Sequence, residues 1–291
     1  SRRQRQMCIR DSKNTRQRKR PGFSHKPSLI CKHIKGIIGM KNEFVKTKNV
    51  KSFLNALSAL SQRGAKEACL MVVDGKPGLG KTHALNWWAI RNECVYIRAK
   101  KEWTPNWMMK DLIMSLNEIP VFSFEKMFRQ ALNLLAQRAA DADRDGKVFA
   151  VVIDEVDYIS RSQKLLETIR DLSDFLEIPF ILVGMGVIRH NLTKFQQIAS
   201  RVGQYVDFVP LDIDDTSELI RKLCNVEVED KLIAFTHNVT GGYVREIKEA
   251  IASIDRFASR NPDIKTVTFE MMDGRILMND RKNSKPIYVR A

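Results

Sequence analysis

Gly75-Lys76-Pro77-Gly78-Leu79-Gly80-Lys81-Thr82 decides how the rest of this 291-residue chain is read. The stretch matches G-x-x-x-x-G-K-[ST] in full. Its glycines let backbone N–H groups turn inward around a phosphate with no Cβ in the way. The Lys81 ammonium suits the β- and γ-oxygens of a bound nucleotide, and the Thr82 hydroxyl suits Mg²⁺. An apolar run, Cys69–Val73, precedes the loop, and a helical segment, His83–Arg91, follows it. The helix would then aim its N-terminal partial charge at the phosphates. The cofactors expected from this stretch are ATP and Mg²⁺.

Downstream, Val151-Val152-Ile153-Asp154-Glu155 ends an apolar run in two carboxylates. In a parallel sheet, ligands bind at the carboxyl edge of the strands. There Asp154 would hold Mg²⁺ through water, and Glu155 would polarise an attacking water. Between and beyond the two motifs, strand and helix signals alternate. Cys94–Arg98, Val148–Ile153, Phe180–Val183 and Tyr205–Val209 join Cys69–Val73 as strands. Helical spacing marks Val50–Leu60, Trp107–Leu116, Phe124–Ala140, Lys164–Leu176 and Leu192–Val202. Near-continuous apolar strands separated by helices predict an α/β fold, with a five-stranded parallel sheet covered on both faces. The pattern changes after Pro210. Asp214 or Asp215 would cap a helix running through Cys224, and Glu229–Val239 and Tyr243–Ala258 read as two more helices around Gly241-Gly242. The expected division is an α/β ATPase domain over 49–210, a small helical lid over 211–259 and a C-terminal tail over 260–291.

The net charge of +15 is unevenly placed. Residues 1–48 hold fifteen Lys and Arg against Asp11 and Glu43, so the remaining body is close to neutral. Residues 1–11 resemble a translated frame of a sequencing-library adapter and are expected not to be native. Residues 12–48 still carry eleven basic groups against one acid and read as a flexible basic arm. Within it, Arg16, Arg18, Lys19 and Arg20 are candidate contacts to nucleic-acid phosphates, as are Arg98, Lys100 and Lys101 in the body. No apolar run approaches the roughly 18 residues of a membrane span. The five cysteines are scattered, with no C-x-x-C, and suit reduced thiols in the cytoplasm. Trp87-Trp88 and Trp103/Trp107 suit core packing better than base stacking, and His83 suits a helix surface.

Phosphoryl transfer also needs a positive charge on the γ-phosphate. Arg201 in Ala199-Ser200-Arg201-Val202-Gly203 and Arg245 in Gly241-Gly242-Tyr243-Val244-Arg245 are the candidates, with Arg189 a third. Taken with the P-loop and Ile-Asp-Glu, these phrases resemble an AAA+ ATPase. Further phrases resemble the MuB, TnsC and TniB transposition activators. They are Phe44–Val50, Tyr96-Ile97-Arg98-Ala99, Phe180–Gly184 and Phe195–Val202. The resemblance implies that Arg201 is an arginine finger acting on a neighbour's nucleotide and that Arg245 senses nucleotide from the lid. Gly184-Met185-Gly186 departs from the polar residue usual after the fourth strand, which implies slow hydrolysis stimulated by DNA or a partner. The implied function is a bacterial or phage protein that forms ATP-dependent homo-oligomers, as a ring or filament, on duplex DNA without sequence preference. It would recruit a transposase and disassemble on hydrolysis. The alternatives are a replication initiator or helicase loader, or a signalling NTPase switch that binds no DNA.

Overall fold

Residues 39–280 and 283–290 are described by the structure, a computed structural model. The adapter-like residues and the candidates Arg16, Arg18, Lys19 and Arg20 lie outside them.

The first helix, α1 (Lys48–Ser61), turns Val50, Phe53, Leu57 and Leu60 inward at helical spacing. Then come β1 (Leu70–Asp74), α2 (Lys81–Arg91), β2 (Val95–Arg98), α3 (Pro105–Ser115), α4 (Phe124–Arg144) and β3 (Val151–Asp154). The domain closes with α5 (Gln163–Leu176), β4 (Phe180–Val183), α6 (Ile188–Leu192), α7 (Gln196–Ala199) and β5 (Val202–Asp207). The five strands form one parallel sheet in the order β2-β3-β4-β1-β5. Successive side chains leave a strand on opposite faces. Leu70, Val72, Val151, Ile153, Phe180 and Leu182 therefore pack with α3, α4 and α5. Met71, Val73, Val152, Ile181 and Val183 pack with α1 and α2. Two covered faces are why these strands read as unbroken apolar runs.

One helix expected from the sequence is absent. Leu192–Val202 forms no single helix but the short α6 and α7, and Val202 already pairs with Leu70 as the first residue of β5. Leu192, Phe195, Ile198 and Val202 all reach the same core, so their spacing imitates a helix although the backbone turns at Phe195. Next in the strand, Gly203 passes close against Ala68, where a Cβ would lie 2.6 Å from the carbonyl oxygen.

The second layer of the chain contains α8 (Ile213–Leu223), β6 (Glu227–Val228), α9 (Asp230–Thr240) and α10 (Val244–Ser259). It continues through β7 (Thr266–Val267), β8 (Ile276–Asn279) and β9 (Pro286–Tyr288). The cap of α8 is Asp212, not Asp214 or Asp215: its Oδ1 accepts from the Asp215 N–H at 2.9 Å. Asp215 is instead buried, accepting the Lys48 N–H at 2.8 Å. The described residues from 260 onward carry structure. Strands β6 and β7 pair in parallel, β8 and β9 form a hairpin, and Val267, Phe269, Met272, Leu277 and Val289 enter the same core as Leu219, Leu232 and Ile251. The segment before α1 is also packed. Val45 sits in that core, Lys41 donates to the Leu223 carbonyl at 2.9 Å, and Phe44 stacks on Trp87 with ring centroids 3.7 Å apart.

Among the described residues no helix is long and apolar enough to cross a membrane.

Candidate functional site

The P-loop leaves the end of β1 and enters α2, and three of its residues hold φ between +88° and +145°: Gly75, Gly78 and Gly80. At Gly75 the need for glycine is steric as well, since a Cβ would overlap the Phe208 carbonyl oxygen. Lys81 is 7% exposed, and its ammonium donates to the carbonyls of Gly75 at 2.5 Å and Lys76 at 2.9 Å. Burial lowers its pKa, and no carboxylate lies within ion-pairing distance among the described residues. The nearby carboxylates of Asp74, Asp154 and Asp157 offset that burial only in part, so the ammonium favours an anionic ligand beside it.

The acidic strand end lies beside it. The Thr82 hydroxyl donates to Asp154 Oδ2 at 2.8 Å, and the Tyr96 hydroxyl donates to the same oxygen at 2.6 Å. Burial and this bond together raise the Tyr96 pKa, so the phenol stays a donor. Glu155 takes a left-handed backbone, φ 58°, with its N–H on Asp154 Oδ1 at 2.8 Å. Its carboxylate faces the Arg98 Nε at 3.6 Å. The loop after β4 is held by two other carboxylates. Asp74 Oδ1 accepts from Gly75 at 2.8 Å and Gly186 at 2.6 Å, while Asp157 accepts from the N–H groups of Met185 and, at 3.2 Å, Val187. Burial raises the Asp157 pKa.

The lid closes the site from the other side. The Arg245 N–H donates to the Gly78 carbonyl at 3.0 Å, and Val244 packs against Gly80. Together these elements enclose a cleft of about 720 Å³ lined by Pro77–His83, Asp154, Glu155, Met185, Arg245 and Lys248, among others. That volume suits a nucleotide-sized ligand.

The expected site residues divide into three groups. Gly78–Thr82, Asp154, Glu155 and Arg245 line one cleft, with Gly75 and Lys76 at its rim through their contacts to Lys81. Arg201 lies elsewhere: its carbonyl accepts from Leu70 at the start of β1, about 13 Å of strand from the P-loop. Its Nε donates to both Asp174 oxygens at 3.1 Å, and its Nη groups make no hydrogen bond among the described residues. Arg189 is engaged by Asp207 at 2.8 Å and lies over the Tyr205 ring. Third, the basic run after β2 is not a continuous surface. Arg98 lines the nucleotide cleft instead of a nucleic-acid face, Lys100 pairs with Asp111 at 2.5 Å, and Lys101 is exposed. Trp88 and Trp103 are core residues and Trp87 is half-buried, but Trp107 is 40% exposed beneath Lys100.

Tyr96, Asp157 and Lys248 were not found by sequence reasoning. Two of them had a signal. Tyr96 stands two residues before Arg98, on the same face of β2, and Lys248 follows Arg245 by one helical turn.

Comparison with known proteins agrees with this geometry. Residues 62–192 match the family model for the AAA domain. Those residues carry an AAA-type domain. It is 26% identical over 256 residues to a potential ATP-binding protein of Staphylococcus aureus, covering 76% of this chain and 91% of the relative. Among solved structures, the ORC2 protein of Aeropyrum pernix, in ADPNP–ADP complexes, superposes with a TM-score of 0.53 at 13% identity. That match covers 78% of this chain and 66% of the other. The ORC1 protein of the same organism, in complex with DNA, gives a TM-score of 0.50 at 12% identity over 75% of this chain and 61% of the other. The chain thus spans at most about two thirds of these solved structures, and what they share with it is the fold of AAA+ P-loop ATPases.

Proposed function

We propose that the cleft binds and hydrolyses Mg²⁺–ATP, and that nucleotide-bound subunits assemble on duplex DNA and deliver a transposase to it. The observation carrying the nucleotide reading is the buried Lys81 ammonium, hydrogen-bonded to two carbonyls of a loop that its positive-φ glycines turn. The residues present fit the group. Lys81 would take β- and γ-oxygens, and Thr82 would ligate the metal with Asp154 behind it through water. No cluster of three His, Cys, Asp or Glu could hold a metal among the described residues, so phosphate oxygens and water would complete its shell. When bound, the metal supplies neutralisation of phosphate charge. Glu155 orients the attacking water and accepts its proton once it leaves Arg98. Arg245 reaches the phosphates from the lid. Arg201, far from its own cleft with its Nη groups unbound, acts on a neighbouring subunit's nucleotide.

Delivery of a transposase rests on the likeness of the quoted phrases to transposition activators. Fold likeness to an ORC1 protein in complex with DNA favours a second reading, a replication initiator or helicase loader. Electron microscopy with duplex DNA and ATP, ADP or neither tests the shared part: ATP-dependent rings or filaments are expected. Assembly indifferent to nucleotide would refute it. Stimulation of the ATPase by a cognate transposase separates the two readings.

A further inference from the structure

A second cleft, of about 400 Å³, opens on the lid between the C-terminal half of α10 and the β8–β9 hairpin. Three arginines line it, Arg256 and Arg260 from the helix and Arg275 from the strand side, and no carboxylate does. Hydroxyls of Ser253 and Tyr288 complete its polar lining. Two of the guanidinium groups are pre-set. Arg256 is steadied by Ser253 Oγ at 2.8 Å and the Ala252 carbonyl at 3.1 Å, and Arg275 stacks 4.6 Å from the centroid of the buried Phe257 ring. Neither contact neutralises the charge. Ordered arginine forks lose little side-chain entropy when they meet a planar or tetrahedral oxyanion.

We infer that this cleft is a phosphate-binding site for the backbone of duplex DNA. Three guanidinium groups in one open cleft whose described lining holds no carboxylate select polyanions. Arg256 and Arg260 are one helical turn apart, about 6 Å of rise, which lets two forks follow neighbouring phosphates on one strand. The placement also links the cleft to the nucleotide. Arg245, Glu249, Ala252, Ser253, Arg256 and Arg260 share one stripe of α10 at spacings of three and four residues. The first three line the nucleotide cleft, and the last three line the arginine cleft. One rigid helix, tied by its first turn to Gly78, therefore spans both sites, and a nucleotide that moves the lid moves the arginines with it.

The inference rests on the proposed DNA binding, and the test separates the two. Affinity of the full chain for a fluorescent 30-base-pair duplex is measured against salt with an ATP analogue. The variants are Arg256→Gln/Arg260→Gln/Arg275→Gln and its Arg→Lys counterpart. The Gln triple should flatten the slope of log K against log salt by about 2.7, or 0.9 per lost contact, while the Lys triple keeps the wild-type slope. Analogue binding at the P-loop should stay within about twofold, as a control for folding. An unchanged slope in the Gln triple, with wild-type protein binding DNA, overturns the cleft assignment alone. Wild-type protein that binds no duplex overturns both. A Gln triple that keeps its DNA slope but loses binding to poly-glutamate would reassign the cleft to acidic protein. Loss of pyrophosphate binding alone would reassign it to a free phosphate ligand.

Discussion

The Arg98 guanidinium holds the Glu155 carboxylate in the nucleotide cleft, and Arg98→Ala releases it. At 3.6 Å and an effective dielectric near 20, the bare attraction would be roughly 5 kcal/mol. Solvent reduces that sharply, because the Arg98 side chain is 58% exposed and that of Glu155 27%. Pairs so exposed contribute at most about 1 kcal/mol. Freeing Glu155 therefore shifts its population toward the phosphate side by at most about fivefold. The expected outcome is a basal ATPase kcat raised by up to about fivefold, with ATP affinity and the salt slope of DNA binding unchanged. Steady-state hydrolysis without DNA, nucleotide titration and fluorescence anisotropy measure the three quantities. A tenfold fall in kcat would show that Arg98 acts on the nucleotide itself and refute the restraint. A salt slope flattened by about 0.9 would return Arg98 to the nucleic-acid surface.

Three further outcomes follow from the same geometry. Lys81→Ala should abolish nucleotide binding, whereas Glu155→Gln should keep binding and lose hydrolysis; equal loss of ATP affinity in both, by calorimetry, would overturn the division of roles. Arg201→Ala should bind ATP normally yet neither hydrolyse nor assemble, and mixing it with Lys81→Ala subunits should restore some ATPase activity; no recovery at any ratio would count against a role in trans. Gly242→Ala should lower thermal stability by an amount on the order of 1–3 kcal/mol. Its φ is +74° and the new Cβ would collide with the Leu211 carbonyl oxygen and lie 2.8 Å from the Leu211 nitrogen. An unchanged Tm would show that the contact between Gly242 and Leu211 relaxes freely.

The sequence alone determined the sheet and the loop, because both depend on local chemistry. A strand covered on both faces must be apolar at every position, so β1, β3 and β4 were legible without partners. A phosphate cradle must have glycine where φ is positive, so Gly75, Gly78 and Gly80 declared the loop. What lay beyond reach were relations between distant residues. Leu192–Val202 imitated a helix because a core reached from two turns and a strand imposes the same spacing as one helix. Arg98 read as surface charge because nothing nearby in sequence shows that Glu155 comes to lie beside it. The C-terminal residues read as a tail because β7, β8 and β9 are strands of two to four residues, too short to leave a period, yet Val267 and Leu277 enter the lid core. The arginine cleft is the same case. Arg256 and Arg275 belong to different elements, and only the packing of the hairpin on α10 makes them one site.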